Sequence, residues 1–434
     1  MNEKRELLLE LYDAAIEAAS PGPATARAID ALTINRASRV WVYAFGKAAT
    51  PMATAAVTSL LRQLYSIVGG VVVSPDGAPS PYPTIQSARG DHPIPGQHSF
   101  AAAAKIAEVT QGRLGNDVAI VLISGGTSSL IGAPLKGMNE ADYIALFEIL
   151  LGSGLDIASM NAVRKRFSRW GAGRLALALS PAATHCFAIS DVANDDLSVI
   201  GSGPVAPDPT TAKDVQDILQ RANLLARIPE THREYLVSVS RGAIPDTPTN
   251  SHPAFAHVSA RVIGNTTSAV AAVAARARER GFETIVSDAR LIGEAARAGE
   301  TIARTLLDGR TGNGQRCYVW GGETTVTLGG GASPSGGGRC QELALAAARV
   351  LHDANGNAGG VTLLAAGTDG RDGATDAAGA MVDATTWDSI VAAGRDPSHA
   401  LSAHESNGAL GAASALIARR ETGTNVNDVV IGFA

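Results

Sequence analysis

The chain has 434 residues, with 36 Lys and Arg against 41 Asp and Glu, and its net charge of −5 excludes the basic surplus by which most nucleic-acid-binding proteins neutralise phosphates. Hydrophobic residues make up 45%, which excludes a disordered chain, and no stretch approaches the roughly 18 uninterrupted apolar residues that predict a membrane span. Three Cys are too few for a disulfide scaffold, so a reducing, cytoplasmic setting is expected.

Short apolar runs alternate with helical stretches along the chain. Residues 1–20 mix acids and bases with apolar residues, which predicts an amphipathic helix and not a signal peptide. Strands are predicted, in chain order, at 40–45, 69–73, 117–123, 184–190, 258–264, 283–286, 317–320, 361–365 and 428–434. These runs are too short for helices and lack period-two alternation, which is typical of parallel strands covered on both faces. Their alternation with helices predicts α/β domains.

A domain boundary is expected in residues 243–253. Three Pro in this segment are separated by polar residues, which predicts a stiff and exposed linker. The length of the chain favours two or three domains. A strand at the extreme C-terminus often inserts into a sheet begun earlier, so residues 428–434 are an alternative last strand of the first sheet.

The candidate functional residues follow the predicted strands, because ligands of open α/β sheets bind beyond the carboxyl ends of the strands. Most of these positions combine Gly with a polar or charged residue, a pattern that favours close approach of the backbone to a ligand. They are Gly46 and Lys47, Ser124, Gly125 and Gly126, Asp191, Asn265, Gly322 and Glu323, and Gly367 and Asp369.

Two of these loops have the composition of an anion site. Lys47 is predicted at the N-terminus of a helix, where backbone N–H groups already favour anions, and its ammonium would clamp a phosphoryl or carboxylate group. The alternative is an ordinary surface Lys. The second loop offers hydroxyls and Gly backbone for an anion cradle, or else forms a tight strand–helix turn with Ser and Thr caps. Its residues are Ser124, Gly125, Gly126, Thr127 and Ser128.

Two acidic loops predict a metal site. Asp191 opens a segment with two further Asp, and Asp369 opens another. Mg²⁺ prefers oxygen ligands and often takes one or two carboxylates together with phosphates, so Asp191 and Asp369 are the predicted metal ligands. The alternative for both loops is a set of Asx turns.

Arg339 follows a Gly-rich tract, residues 329–338, and begins a predicted helix. A guanidinium binds phosphate or carboxylate bidentately, so Arg339 is a candidate for contacting a transferred group. The alternative is a solvated Arg on a linker. The chain lacks a dinucleotide fingerprint, a zinc motif and a nucleophile elbow. His92 and His404 are lone His in polar loops, and most such His are structural.

Taken in order, these loops resemble those of the bacterial D-glycerate 2-kinases, whose C-terminal half is called the MOFRL domain. Members of this family have often been labelled hydroxypyruvate reductase. The resemblance covers nearly the whole chain from Lys47 onward. It rests on the segments AFGKAATPMA, GDHPIPG, LISGGTSSLI, NAVRKRFS, AISDVANDDLSVIGSGPV, GGETTVTLGGG, GGRCQELALA and AAGTDGRDGATDAAGA.

The resemblance implies two α/β domains with the active site in the cleft between them. The first, residues 1–245, would be Rossmann-like with a mostly parallel sheet. The second, residues 256–427, would be a smaller α/β domain of the MOFRL type. Lys47 and Arg339 match the key cationic residues of the family, whereas Cys340 stands where the family usually has Asn.

The sequence therefore predicts an ATP-dependent and Mg²⁺-dependent kinase that phosphorylates the 2-hydroxyl of D-glycerate. Lys47 and Arg339 would neutralise the phosphoryl group and orient the carboxylate, Asp191 would act as base or metal ligand, and Asp369 or Glu323 would be its partner in the second domain. D-glycerate and ATP are the expected partners, without nucleic acid or membrane, and homo-oligomerisation is left open. The alternatives are an NAD(P)H-dependent hydroxypyruvate reductase and a non-catalytic sugar-acid-binding protein.

Overall fold

A computed structural model describes residues 2–113, 115–310, 316–328, 336–354 and 356–434. The chain divides into two compact units, which we name by their sheets. The parallel unit comprises Pro21–Ile263, and the smaller, mixed unit comprises Met1–Ser20 with Gly264–Ala434. In the described ranges, no helix combines the length and apolarity that a bilayer crossing requires. Residues 329–335 of the predicted Gly-rich tract lie outside the described residues.

The secondary structure alternates between strands and helices. The strands are β1 Arg39–Phe45, β2 Ser66–Ser74, β3 Ile85–Arg89, β4 Val118–Ile123, β5 Ala183–Ile189, β6 Val258–Gly264, β7 Glu283–Val286, β8 Arg316–Gly322, β9 Thr362–Gly367, β10 Ala377–Asp383, β11 Leu416–Ala418 and β12 Asp428–Phe433. The helices are α1 Asn2–Ala18, α2 Pro21–Asp30, α3 Ala49–Arg62, α4 Gln97–Val109, α5 Thr127–Leu130, α6 Glu140–Leu151, α7 Ile157–Phe167, α8 Arg174–Leu179, α9 Ala212–Arg221, α10 Glu230–Ser240, α11 Thr266–Glu279, α12 Ala295–Asp308, α13 Arg339–Asp353, α14 Thr386–Ala392, α15 Pro397–Ser402 and α16 Ser406–Ala412.

The sheet of the parallel unit has the strand order β3-β2-β1-β4-β5-β6, which is the order of doubly wound Rossmann-like folds. The pairs β1–β2, β2–β3, β1–β4 and β4–β5 are all parallel. Every residue of β4 is buried, which explains its uninterrupted apolar sequence. The predicted Rossmann-like, mostly parallel sheet is thus confirmed. Strands β2 and β3 are added on one side of β1, and strands β4 to β6 are added on the other. The strand order therefore reverses between the neighbouring strands β1 and β4, and the loops after these two strands lie side by side.

The sheet of the mixed unit has the order β11-β10-β9-β12-β8-β7. Only its β7–β8 pair is parallel among the described pairings, whereas β12 runs antiparallel to both β8 and β9. The apolar runs of this unit were expected to be parallel strands. They arise instead from burial on both faces, because antiparallel β12 is also buried at every position.

The two ends of the chain both belong to the mixed unit. The sequence analysis had allowed the C-terminal strand to complete the first sheet. Instead, β12 pairs with β8 and β9 of the mixed unit. At the other end, the Tyr12 hydroxyl of α1 donates a hydrogen bond to the Gly367 carbonyl over 2.5 Å, and the Glu10 carboxylate pairs with Arg276 and Arg280. The units therefore divide after Ser20 and at Ile263, whereas the sequence placed the boundary at 245–256.

The segment predicted as an exposed linker, residues 243–253, lies inside the parallel unit. Thr247 is buried and its hydroxyl donates to Asp208 over 2.9 Å, while Asp246 forms an ion pair with Arg166. Residues 243–253 have the Pro and polar residues that are typical of an exposed linker. The partners that pack this segment, Asp208 and Arg166, are far away in the sequence, so its composition did not reveal them.

Candidate functional site

The loops after β1 and β4 are held together by hydrogen bonds at the point where the strand order reverses. The Lys47 N–H donates to the Gly125 carbonyl over 2.9 Å, and the Ser124 N–H donates to the Phe45 carbonyl over 3.0 Å. The Thr127 hydroxyl also donates to Phe45, over 2.9 Å. The Lys47 side chain is exposed. The backbone of Lys47 is thus fixed, with its side chain exposed, at the edge of the sheet where ligands bind in this fold class.

Gly46 is required by this arrangement. Its φ is +119°, and a Cβ atom would lie 2.2 Å from the Ser124 Oγ and 2.6 Å from the Ser124 carbonyl oxygen. Any other residue would therefore separate the two loops or displace Lys47.

Asp191 and His92 complete the group in the parallel unit. A Cβ on Gly125 would lie 3.0 Å from the Asp191 Oδ2, and a Cβ on Gly126 would lie 3.0 Å from the His92 Cδ2. The two Gly residues leave the space that these side chains need. The structure therefore brings Gly46, Lys47, Asp191 and the loop of Ser124 to Ser128 together, and it adds His92.

The hydroxyls of this loop support the fold. Thr127 Oγ1 lies 2.8 Å from the Ser124 carbonyl oxygen, and Ser124 Oγ accepts a hydrogen bond from the Ala48 N–H over 3.0 Å. Ser128 Oγ accepts from the Ser202 hydroxyl over 2.7 Å. This geometry favours the alternative that these hydroxyls stabilise a tight turn, and anion binding by Lys47 stays a prediction.

A second cation, Arg164 of α7, lies near His92. Arg164 is 7% exposed, and its guanidinium packs 4.7 Å from the centroid of the Phe147 ring. The pKa of His92 is lowered to about 4 by partial desolvation and then by the charges of Lys47 and Arg164. The two cations explain this direction even for a ring that keeps contact with solvent, and His92 is neutral at pH 7.

In the mixed unit, Arg339 is held by two carboxylates. Its Nε and Nη2 donate to Asp428 over 2.6 and 2.8 Å, and its Nη1 lies 3.1 Å from the Glu323 Oε1. Among the described residues, these contacts leave at least two of the five guanidinium N–H donors for a ligand. The bidentate contact fixes the plane of the guanidinium.

Burial affects the two members of this pair differently. Desolvation raises the pKa of Asp428 to about 6, although its contacts with Arg339 act in the opposite direction. The pKa of Arg339 is raised, because its hydrogen bond and attraction to Asp428 outweigh the effect of desolvation. Both groups are therefore charged at pH 7.

The N-terminus of α13 is capped from within the unit. Asp372 accepts hydrogen bonds from the Cys340 N–H over 3.0 Å and from the Gln341 N–H over 2.8 Å. A Cβ on Gly338 would lie 2.2 Å from the Asp372 Cγ, so the Gly is required for this cap. Asp372 thus sets the position at which α13 begins, and with it the position of Arg339.

A polar cavity of about 440 Å³ lies beside Arg339 in the mixed unit. Glu323, Glu342 and His404 also line it. The Glu342 Oε2 lies 2.9 Å from the His404 Nδ1, and desolvation raises the pKa of Glu342. The cavity therefore presents cationic and acidic groups to any molecule that enters it.

Asp369 and Asn265 both make local structural contacts. The Asp369 Oδ1 accepts from the Arg371 N–H over 3.0 Å, which is the Asx turn named as the alternative. Asp369 is nevertheless close to Asp428, because both carboxylates approach the same side of Gly367. Asn265 caps α11 by accepting from the Ser268 N–H over 2.8 Å.

The predicted metal ligands, Asp191 and Asp369, are single carboxylates in different units. Within residues 2–113, 115–310, 316–328, 336–354 and 356–434, no three His, Cys, Asp or Glu are grouped as metal ligands. Mg²⁺ usually keeps several waters and binds through one or two carboxylates plus phosphates. Either carboxylate fits a metal ion that is held largely by phosphate oxygens, and both assignments stay predictions.

Sequence reasoning missed Asp428, Arg164 and the grouping of His92. Only the residues after the carboxyl ends of strands were considered, but antiparallel β12 begins at the edge where its neighbours end, and its first residue is Asp428. His92 follows β3, whose polar sequence gave no strand signal. Arg164 lies in the quoted segment NAVRKRFS, where the sequence does not distinguish a paired cation from an unpaired one.

Comparison with known proteins identifies the family. Residues 7–237 match the family described as a domain of unknown function, DUF4147, and residues 316–428 match the MOFRL family. The D-glycerate 2-kinase of Thermotoga maritima is 34% identical over 434 residues, which cover 99% of this chain and 98% of that protein. The glycerate 2-kinase of Pyrococcus horikoshii is 33% identical over 442 residues, which cover 99% of this chain and 97% of that protein.

The fold agrees with the sequence comparison. The crystal structure of glycerate kinase from Thermotoga maritima matches 100% of this chain and 99% of its own, with a TM-score of 0.86 at 33% identity. The resemblance found from the sequence motifs is thereby confirmed: the chain belongs to the glycerate 2-kinase family, with an N-terminal DUF4147 domain and a C-terminal MOFRL domain.

Proposed function

We propose that this protein transfers the γ-phosphoryl group of ATP to the 2-hydroxyl of D-glycerate, giving 2-phosphoglycerate and ADP. Its relatives named glycerate 2-kinase match almost the full chain. The observation that carries the proposal is the exposed ammonium of Lys47, held where the strand order reverses by its own backbone and by Gly46. Phosphoryl transfer depends mainly on such positioning and on charge stabilisation.

Two groups of the parallel unit have distinct tasks in this reaction. Lys47 stabilises the negative charge on the transferred phosphoryl oxygens. Asp191 lies beside Gly125, next to the Lys47 loop. It takes the proton that the 2-hydroxyl loses as the new O–P bond forms and the bond to ADP breaks, or it binds the metal ion, and the two alternatives remain open.

Arg339 of the mixed unit has at least two N–H donors that the described residues leave for phosphate oxygens, while Asp428 keeps its guanidinium in one plane. Mg²⁺, when bound with ATP, neutralises the phosphate oxygens. Asp369 is a candidate ligand for that ion, and Asp191 is one as the alternative to its role as the base. If one reaction uses residues of both units, substitution in either unit will abolish it.

The direct test is an assay with ATP, Mg²⁺ and D-glycerate in which ADP release is coupled to a reporter and the product is identified by phosphorus NMR. We expect ADP release that depends on D-glycerate, with 2-phosphoglycerate as the product. No ADP above background with D-glycerate and close hydroxy acids would contradict the proposal.

Variants test the two cationic residues. Lys47→Ala and Arg339→Lys are each expected to lower kcat/KM by about 100-fold or more. Lys in place of Arg339 keeps a charge beside buried Asp428, so loss of activity is not explained by an unpaired carboxylate. The matched controls are Lys136→Ala, at an exposed position, and Arg349→Lys, farther along α13. Full activity of Lys47→Ala or Arg339→Lys would refute the role assigned to that residue.

The same preparation separates the alternatives. A hydroxypyruvate reductase would consume NADH or NADPH when hydroxypyruvate is added, and a non-catalytic binding protein would bind D-glycerate without releasing ADP. Both remain predictions from the sequence.

A further inference from the structure

Helix α7 carries three consecutive cations that are all buried: Arg164, Lys165 and Arg166, exposed by 7%, 2% and 0%. Two of them have carboxylate partners. The Lys165 Nζ lies 2.8 Å from Asp208, and Arg166 pairs with Asp208 and Asp246. These two cations stabilise the packing of α7 within the parallel unit.

Arg164 has no such partner in the part of the chain that the structure describes. Its guanidinium contacts the Phe147 ring, and its Nη2 lies 4.0 Å from the Met160 sulfur. Its Nε is buried without a hydrogen-bond acceptor, and desolvation lowers the pKa of Arg164. A buried cation is unfavourable unless an anion pairs with it. Because the described residues supply none, a ligand is the natural source of that anion.

Further polar atoms near this position are also unused by the fold. Asn161 lies one turn before Arg164 on α7 and is 6% exposed, and its Oδ1 has no hydrogen-bond partner among the described residues. Its Nδ2 donates to the Val199 carbonyl over 3.3 Å. The neighbouring Ser198 is 7% exposed, and its buried Oγ is likewise without a partner in the described chain. Arg164 and Asn161 of α7, together with Ser198 beside the Val199 carbonyl that Asn161 contacts, thus have buried polar atoms that the described residues leave without partners.

These groups adjoin the loop of Lys47. The turn that begins after Val199 includes Ser202, whose hydroxyl donates to Ser128 over 2.7 Å. The His92 ring, which lies against Gly126, is within electrostatic range of both Lys47 and Arg164. Arg164 therefore belongs to the same site as Lys47.

We propose that Arg164 binds the carboxylate of the hydroxy-acid substrate, while Asn161 and Ser198 hydrogen-bond its hydroxyl groups. This inference rests on the proposed function, and it replaces the expectation from the sequence that Lys47 and Arg339 orient the carboxylate. The planar guanidinium matches a carboxylate bidentately, and Phe147 covers one of its faces. Lys47, an exposed ammonium, remains for the phosphoryl group.

The role of Arg164 makes the carboxylate a condition for binding. A neutral analogue such as glycerol would leave the guanidinium buried and unpaired. Sites built to pair a polar group strongly reject analogues that lack it. The site therefore selects carboxylates over polyols.

The test is calorimetric titration of the full chain with D-glycerate, without nucleotide. Arg164→Met is expected to raise the Kd for D-glycerate by about 30-fold or more and to leave the Kd for ATP unchanged. In the kinase assay the same variant should raise KM more than it lowers kcat. Arg169→Met, at an exposed position of the same segment, should bind D-glycerate like the wild type.

Unfolding in urea distinguishes binding from structural support. Arg164 has no carboxylate partner among the described residues, so Arg164→Met should keep or raise the unfolding midpoint. Arg166→Met should lower it, because Asp246 loses its cation and Asp208 loses one of its two. An equal fall in both variants would overturn the inference.

Three binding results would also overturn it: unchanged D-glycerate affinity in Arg164→Met, loss of affinity for ATP or inorganic phosphate instead, or no binding of any hydroxy acid by the wild type. Because the titration contains no nucleotide, it tests the carboxylate site independently of the proposed kinase activity. A wild type that binds D-glycerate through Arg164 but releases no ADP would contradict the kinase and support the carboxylate site.

Discussion

Gly46 is the residue at which a single methyl group would disturb the candidate site most directly. In Gly46→Ala, the new Cβ would meet the Ser124 Oγ at 2.2 Å with φ at +119°. We expect the free energy of unfolding to fall by about 2 kcal/mol or more, and kcat/KM to fall because Lys47 moves. Urea unfolding and the ADP assay measure both effects.

The control is Gly112→Ala, in which φ is +68° but no atom lies within 4 Å of the new Cβ. It introduces backbone strain without a collision, so it should cost less stability and leave activity unchanged. Equal effects of the two substitutions would show that the contact with Ser124 is unimportant.

We expect the burial of His232 to make the protein less stable in acid. It is fully buried 4.5 Å from the Phe167 ring, and its Nε2 has no hydrogen-bond partner among the described residues. Burial lowers the pKa of His232 to about 4, with Asp142 acting weakly in the opposite direction. The unfolded chain, with an ordinary His pKa of about 6.5, binds more protons between these values. The free energy of unfolding therefore decreases as the pH falls from about 6.5 to about 4, by up to about 3 kcal/mol.

Urea unfolding of wild type and His232→Leu at about pH 7 and about pH 4.5 measures this contribution. The difference between the two pH values should be smaller in the variant. His257→Leu, at an exposed position of the same unit, is the control. If His232→Leu and the control show the same acid sensitivity, burial of His232 is not its cause.

At the scale of elements, the start of α13 is the feature that positions Arg339. Asp372→Ala removes the acceptor for the Cys340 and Gln341 N–H groups inside the unit. We expect the free energy of unfolding to fall by about 2–4 kcal/mol, since a cap is lost and buried donors remain unpaired. Activity should fall as well, because the first turn carries Arg339.

The control for the cap is Asp396→Ala in the same unit. Asp396 caps α15 by accepting from the Ser398 and His399 N–H groups at an exposed position. Water replaces an exposed acceptor, so we expect a loss of only about 1 kcal/mol and normal activity. Similar losses of stability would mean that burial of the Asp372 cap contributes nothing.

The sequence predicted the central strands that are buried on both faces, and it also predicted β6 and β7, which are partly exposed. Central strands such as β1 and β4 have unbroken apolar sequences, and their bounds agree within about one residue. The strands β3 and β10 were missed, as was the three-residue β11. The first has the polar sequence IQSAR at the edge of its sheet, and the second has the small-residue sequence AAGAMVD, which lacks the branched residues typical of strands.

The sequence predicted those residues of the candidate site that directly follow a parallel strand. Lys47, Asp191 and the loop of Ser124 follow parallel strands, so a rule about strand ends found them. Asp428 and Arg164 could not be found that way. The relevance of Asp428 depends on the antiparallel direction of β12, and that of Arg164 depends on the absence of a nearby carboxylate in the described chain, which is a property of the folded state.

At the scale of the whole molecule, the mixed unit is assembled from both ends of the chain. Residues 1–20 join residues 264–434 through the Tyr12–Gly367 hydrogen bond and through the Thr424 hydroxyl, which donates to the Ala19 carbonyl over 2.7 Å. The parallel unit is inserted between the two segments. The stability of the MOFRL-containing unit therefore depends on a helix that is more than 240 residues away in the sequence.

Because of this dependence, we expect a substitution in the core of α1 to destabilise the mixed unit and not the parallel unit. Leu11 of α1 is fully buried, so Leu11→Ala should destabilise the mixed unit by about 2–5 kcal/mol. Hydrogen–deuterium exchange of the intact chain is expected to increase in α11, β9 and β12, while β1 and β4 of the parallel unit keep their protection. Glu17→Ala, at an exposed position of the same helix, should change neither set. Faster exchange in β1 and β4 would instead place the contribution of α1 in the parallel unit, against the division of the chain after Ser20.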